Sequence, residues 1–393
     1  MPTRAGFAIA LLGMLVLLAA PLRLQGADLS GWLGTYTVAP PGGKPGGTGS
    51  PGIYGFQWDT ESGALHGLHA AGTASNPSFL ALHPNGRFLY AVSEGGNGTD
   101  TDRIDAFAIG AQGAAGELSP LGSVSSMGKS PCHLVVDATG RWLFAANYTS
   151  GIIAVFPIGA DGRLGEAKQS IQQHGSGPVA DRQQSSHAHE VVLSPDGRFL
   201  LAPDLGADRV FVYRFDASTG TLTPGQPGVI PPGYGPRHLV FSHDARLVYV
   251  VTELAARIVT MRWDAQSGVL TAVAETPALP ADFKGVRSGA EIALHPNGKF
   301  LYSSNRGDSN TIAIFRIGAD GVPVPAGTVA SGGSTPRNFG IDPSGHFLIA
   351  CNQDSSNVVI FRIDPDTGAL RQQGAAVAVP APVDIVFAQS RDR

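Results

Sequence analysis

One short paragraph of sequence recurs six times along this chain, and that recurrence limits the fold more than any other feature. The copies read HPNGRFLY from His83, DATGRWLF from Asp137, SPDGRFLL from Ser194, SHDARLVY from Ser242, HPNGKFLY from His295 and DPSGHFLI from Asp342. The steps between them are 54, 57, 48, 53 and 47 residues. Each copy is a tight turn between two apolar runs, and Asp-Gly or Asn-Gly there signals a hairpin because glycine tolerates positive φ. Around the third copy the expected strands are Val191 to Leu193, Phe199 to Ala202 and Val210 to Phe215.

A period near 50 residues with four strands per unit is that of a propeller blade. Third and fourth strands are joined by Asp-and-Gly turns such as Asp264 to Gly268 and Asp364 to Gly368. A seventh unit is split between the ends. Trp32 to Thr37 resembles a second strand, and Gly52 to Leu65 a third and fourth. The missing first strand is PVDIVF, Pro382 to Phe387, which parallels PRHLVF at 236–241. Pairing the ends removes the open sheet edges an unclosed array would leave. The expected fold is therefore all-β: a seven-bladed β-propeller with four-stranded antiparallel blades, closed by its N- and C-terminal strands. The chain of 393 residues then forms one domain over 27–393, and the connection Glu166 to Ser186, its longest insertion, should cover part of one face.

Residues 1–26 read as a secretory signal peptide: Arg4, an apolar run from Ala5 to Ala20, then a break at Pro21. Cleavage after Gly26 or Ala27 fits, with an uncleaved N-terminal anchor as the rival. This places the mature protein in the periplasm or outside the cell. A formal net charge of -4 without any basic block argues against nucleic acid or an anionic membrane surface as partner. The two cysteines, Cys132 and Cys351, fall in different repeats and are expected to be buried free thiols. A monomer is expected.

Repeats also supply an internal control, because equivalent positions occupy equivalent places around the ring. Five residues before each turn anchor the copies read Ser78, Cys132, His189, Arg237, Ala290 and Arg337. One residue later they read Phe79, His133, Glu190, His238, Glu291 and Asn338. Eleven residues after the anchor they read Glu94, Tyr148, Leu205, Glu253, Arg306 and Gln353. These positions vary and are often polar, whereas their neighbours are monotonously Val, Leu, Phe and Ala. The start of a blade's first strand and the end of its antiparallel second strand lie at one rim of the central channel. His189, Arg237, Glu253 and Arg306 should therefore converge on one mouth. His133, Glu190, His238, Glu291, Arg337 and Glu94 line it as candidate substrate-binding residues.

The chemistry of such a nest is specific. Paired guanidiniums clamp an anionic carboxylate or phosphate and can steady an oxyanion. A histidine titrating near neutrality moves protons, and Glu253 is expected to orient it or to act as base itself. Taken singly, an Arg or Glu at a strand end is a blade-to-blade hydrogen-bonding residue. It is their joint occurrence at matching registers that points to a site. His187 and His189, at i and i+2 of an expected strand, would share a face, but the sequence offers them no third ligand, so neither metal nor cofactor is expected. No G-x-S-x-G elbow is present and neither cysteine has placed nucleophile partners. His83 and His295 fall in turns and read as structural. Gly95-Gly96-Asn97-Gly98 reads as a loop.

At these residues the chain resembles the lactonase seven-bladed propeller family, which includes a bacterial type of 6-phosphogluconolactonase and the fungal 3-carboxy-cis,cis-muconate cycloisomerase. The resemblance covers nearly all of 27–393. It is carried by LGTYT (33–37), GSGPVADRQQSSHAHEVVLSPDGRFLLAPDLGADRV (175–210), GPRHLVFS (235–242), VVTEL (250–254), GAEIALHPNGKFLYSSNRG (289–307) and TPRNFGIDPSGHFLIACNQDSSNVVIF (335–361). It implies an active site of His189, Arg237, Glu253 and Arg306. Glu190 stands where the family pattern has a small residue, and a carboxylate there is expected to raise the pKa of His189 or alter the charge the pocket accepts. The leading expectation is a metal-independent hydrolase of a small anionic lactone, with His189 as general base. The rivals are a lactonising cycloisomerase of the muconate type and a non-catalytic propeller serving as a scaffold or binding module in the cell envelope.

Overall fold

The computed structural model describes residues 28–38, 48–95, 102–110 and 116–388. Residues 1–26, read above as a signal peptide, and residues 96–98 of the glycine-rich loop lie outside them. Every regular element among the described residues is a β-strand, and the strands form seven antiparallel sheets. We number the blades in chain order: blade 1 spans Leu80–Ser125, blade 2 Pro131–Gln172, blade 3 Val192–Val229, blade 4 Pro236–Pro277, blade 5 Gly289–Ala330 and blade 6 Pro336–Ala378. Blade 7 joins Pro382–Phe387 to Asp28–Thr35, Gly52–Asp59 and Ala64–Thr73. The terminal strands pair antiparallel, Leu33 opposite Ile385, so the expected closure is observed. In blades 3 and 6 the outermost strand is broken into two short pieces on the same neighbour, which makes those sheets five-stranded.

The turn glycines adopt the left-handed conformation that the hairpins require, with φ of 67° at Gly86, 68° at Gly197 and 70° at Gly298. The fourth copy has no glycine, and Ala245 takes φ 55° in its place. Neighbouring blades bury their faces against one another. Phe199, Val212, Val250 and Trp263, from blades 3 and 4, share one cluster. Polar ties repeat with the blades. Tyr90, Tyr249 and Tyr302 each donate a hydroxyl hydrogen bond to a turn glycine of the following blade, at Gly162, Gly321 and Gly368 (3.0, 2.7 and 2.9 Å). His83 and His295 do the same through Nε2, to Gly140 (2.9 Å) and Gly345 (2.7 Å), in keeping with the structural role expected of them. Both cysteines are free and buried.

Candidate active site

In blades 2, 4, 5 and 6 the inner strand begins with an irregularity that shapes the site. Register shifts between Pro131 and His133, Pro236 and His238, Gly289 and Ile292, and Pro336 and Asn338. A bulge at one register, repeated blade by blade, breaks strict alternation and re-aims side chains. Two successive residues per blade can thereby serve the channel, which is why both sequence positions varied together.

Three levels result. The outermost comes from the ends of the second strands and includes Tyr36, Glu94, Tyr148, Glu253 and Arg306. The next comes from the first bulge position and includes His189, Arg237 and Arg337. The deepest takes one residue per blade: Phe79, His133, Glu190, His238, Glu291, Asn338 and, from the closing strand, Asp384. Beyond that deepest ring the inner strands of blades 1, 6 and 7 line an open recess of about 480 Å³ bounded by Leu82, Ile341 and Phe387, with Glu291, Asn338 and Asp384 in its wall. It does not include the arginines of the mouth.

Glu253 is the hub of the mouth. Its Oε2 forms ion pairs with Arg306 Nη2 at 2.7 Å and with Arg237 Nε at 3.3 Å, while Oε1 accepts from Arg182 Nη2 at 2.5 Å. Burial pushes this carboxyl up, but Arg306, Arg182 and Arg237 together outweigh burial and hold it well below the usual carboxylate range. Arg237 also donates to the Ala290 carbonyl at 2.9 Å, while its Nε makes no hydrogen bond. Burial, with Arg306 and Arg337 nearby, brings its pKa down to about 10.

Arg182 escaped the sequence reading because it belongs to no repeat. It sits in the long connection between blades 2 and 3, which Gln183 pins by donating to the Leu205 carbonyl at 2.8 Å. From there it reaches Tyr148 Oη at 3.2 Å as well as Glu253, so the insertion does extend over the mouth. Arg337 packs 5.4 Å from the Tyr36 ring centroid. Glu94 accepts from Tyr36 Oη at 2.8 Å and from Ser78 Oγ at 2.5 Å. Arg337 has no carboxylate within ion-pair distance among the described residues.

His189 differs from its expected setting in three ways. It does not lie on a strand, because the inner strand of blade 3 is only Val192–Leu193, and Ala188 forms an isolated bridge to Asp204. His187 and His189 consequently make no shared metal face: His187 stacks on Tyr148 at 4.6 Å, and His189 meets the same ring edge-on at 5.4 Å. Glu253 does not orient it, being committed to three arginines, and His189 Nδ1 is buried with no hydrogen-bond partner. Nor does Glu190 raise its pKa. Glu190 Oε2 accepts from Leu239 N at 2.7 Å and its Oε1 faces His133. Burial, then Arg237, His238, Arg337 and Arg306, hold His189 well below the ordinary histidine value, so it stands as a neutral imidazole at pH 7.

The deepest ring is a polar belt. His238 Nδ1 is 3.0 Å from Glu291 Oε2, and Asn338 Nδ2 donates to the same oxygen at 2.7 Å. Burial pushes Glu291 up to about 7. Asp384, which sequence reasoning passed over inside an apolar PVDIVF strand, accepts from Leu80 N at 2.7 Å and ties blade 7 to blade 1.

A closed seven-bladed ring is the architecture of the propeller lactonases. The family described as "Lactonase, 7-bladed beta-propeller" matches residues 30–387, and the chain belongs to it. The 6-phosphogluconolactonase of Bacillus subtilis is 33% identical over 360 residues, 91% of this chain and 97% of that one. The 6-phosphogluconolactonase of Formosa agariphila is 34% identical over 87% of this chain and 94% of its own. Among solved structures, the periplasmic gluconolactonase PpgL of Pseudomonas aeruginosa superposes with a TM-score of 0.84 at 33% identity, covering 92% of this chain and 99% of that one.

Proposed function

We propose that this chain hydrolyses a small sugar-type lactone bearing an acidic substituent, in the periplasm. One observation carries the reading: four guanidiniums, Arg182, Arg237, Arg306 and Arg337, surround one mouth where Glu253 is the only carboxylate ion-paired with any of them among the described residues. Such a surplus suits an anion, and planar forks suit carboxylate or phosphate. The relatives support hydrolysis over cycloisomerisation, since those named above are lactonases.

In this reading the neutral imidazole of His189 takes a proton from water as the water oxygen attacks the lactone carbonyl. Arg237 and Arg306 stabilise the oxyanion, in a buried setting where such interactions are strong. The ring C–O bond then breaks, and the imidazolium returns its proton to the leaving alkoxide. Glu253 holds the guanidiniums in register for that task, and Arg182 meets the substituent at the rim. Export rests on the sequence of residues 1–26, and the periplasmic gluconolactonase is consistent with it.

The test is turnover of a panel of plain, carboxylated and phosphorylated sugar lactones by the purified protein at neutral pH. Hydrolysis of at least one acidic lactone, falling by about 10²-fold or more in His189→Ala, is expected. Absence of any lactone turnover, or an unchanged rate in that variant, would overturn the reading.

A further inference from the structure

Three members of the deepest ring approach one another closely enough to share an ion. Ligand atoms of His133, Glu190 and His238, all buried, lie within 4.8 Å of one another. His133 and His238 come from the inner strands of blades 2 and 4, and Glu190 from the segment that leads into the inner strand of blade 3, at the equivalent repeat position. The distance from His133 Nε2 to Glu190 Oε1 is 3.6 Å, too long for a hydrogen bond. It is close to the edge of about 3.4 Å that two ligands subtend on a tetrahedral ion with bonds of about 2.0–2.2 Å. Glu190 Oε1 forms no hydrogen bond among the described residues, its partner oxygen being occupied by Leu239 N.

The surroundings complete the pattern. Glu291 takes His238 Nδ1–H at 3.0 Å and is itself fixed by Asn338 Nδ2 and by Ile292 N at 2.9 Å. That bond sets the tautomer and presents His238 Nε2 as a lone pair, the carboxylate–histidine arrangement that orients metal ligands. Arg237 Nη1 is 3.3 Å from both nitrogens of His238. The ring holds three carboxyls, at positions 190, 291 and 384, and no Lys or Arg of its own.

We propose that His133 Nε2, Glu190 Oε1 and His238 Nε2 form a binding site for a divalent first-row transition ion of the zinc class, with Glu291 and Asn338 as its supporting shell. Imidazole-rich donors select such ions over magnesium or calcium, which call for oxygen ligands. An inward shift of about 1 Å closes the three donors to bonding distance. His133 then carries its proton on Nδ1, giving up a long 3.4 Å contact from Val191 N. The site lies below the mouth, so it goes beyond the lactonase reading, and its test does not depend on activity.

The full chain would be stripped with a strong chelator, loaded with Co²⁺, freed of excess by gel filtration, and read by elemental analysis and visible absorption. One Co²⁺ per chain with the d–d bands of a low-coordinate nitrogen–oxygen site is expected, displaced stoichiometrically by Zn²⁺. Glu190→Gln should abolish retention. Glu291→Gln, which leaves every ligand in place, should weaken it by about 10–100-fold. Circular dichroism would establish that each variant is folded, and the wild-type spectrum stands as a test even if a variant is not. A featureless spectrum with no retained metal, or retention unchanged in folded Glu190→Gln, would overturn the proposal.

Discussion

Arg306 Nη2 lies 2.7 Å from Glu253 Oε2, though the two residues stand 53 positions apart and on different blades. With Arg182 and Arg237 on the same carboxylate, this pair fixes the shape of the mouth. Removing the charge at Glu253 leaves three guanidiniums with no counter-charge between them. Glu253→Gln should therefore cost about 3–5 kcal/mol, the range for breaking a buried ion pair. Urea unfolding of the two proteins at pH 7 measures it.

The same carboxyl gives a pH dependence with a definite sign. Its folded pKa is depressed below the unfolded value of about 4.3, so its contribution is complete above that pH and is lost as pH falls toward the folded value. The stability gap between wild type and Glu253→Gln should hold constant from pH 7 to 5 and narrow progressively below about pH 4. Denaturant midpoints along a pH series check this.

Arg182 offers a contrast because its side chain is 40% exposed. An ion pair this open contributes little to stability, so Arg182→Ala should change it by under about 1 kcal/mol. If Arg182 meets the acidic substituent, KM for the acidic lactone should rise about tenfold or more with kcat nearly unchanged. A plain lactone should show no such change. Steady-state kinetics on the matched pair of substrates separate the two outcomes.

Ala245 stands in a left-handed turn where five sister turns have glycine. The strain on a side chain there is about 1–2 kcal/mol, offset partly by the extra backbone freedom glycine loses on folding. Ala245→Gly should stabilise the protein by about 0.5–1 kcal/mol without touching the mouth. A raised urea midpoint with unchanged slope is the expected result.

The ring, its closure and the rim on which Arg237, Glu253 and Arg306 meet were legible because repetition turns a register into a position in space. Pro382–Phe387 announced its place as an inner strand by its likeness to PRHLVF. Arg182 was not legible: it lies in an unrepeated connection, where no sister copy supplies an expected place. The expected partnership of Glu253 with His189 failed for a related reason. Register assigned both residues to one rim but could not say that three guanidiniums would compete for that carboxylate, a charge attraction the imidazole does not match. The bulges left no mark in composition, so the reading of residues 187 and 189 as neighbours on one face of a regular strand gave way to an irregular segment. Asp384 was hidden by its apolar neighbours, although its register equivalence to His238 was available once blade 7 had been assembled.

The pairing of Leu33 with Ile385 also bears on how the molecule is made. A ribosome delivers the first strand of that partnership more than 340 residues before the last. Until then the growing chain carries an unsatisfied edge on blade 7, of the kind that invites intermolecular pairing. Final annealing must therefore follow release of nearly the whole polypeptide, and a transcript cut short before codon 382 would yield an unsealed product rather than a smaller working one.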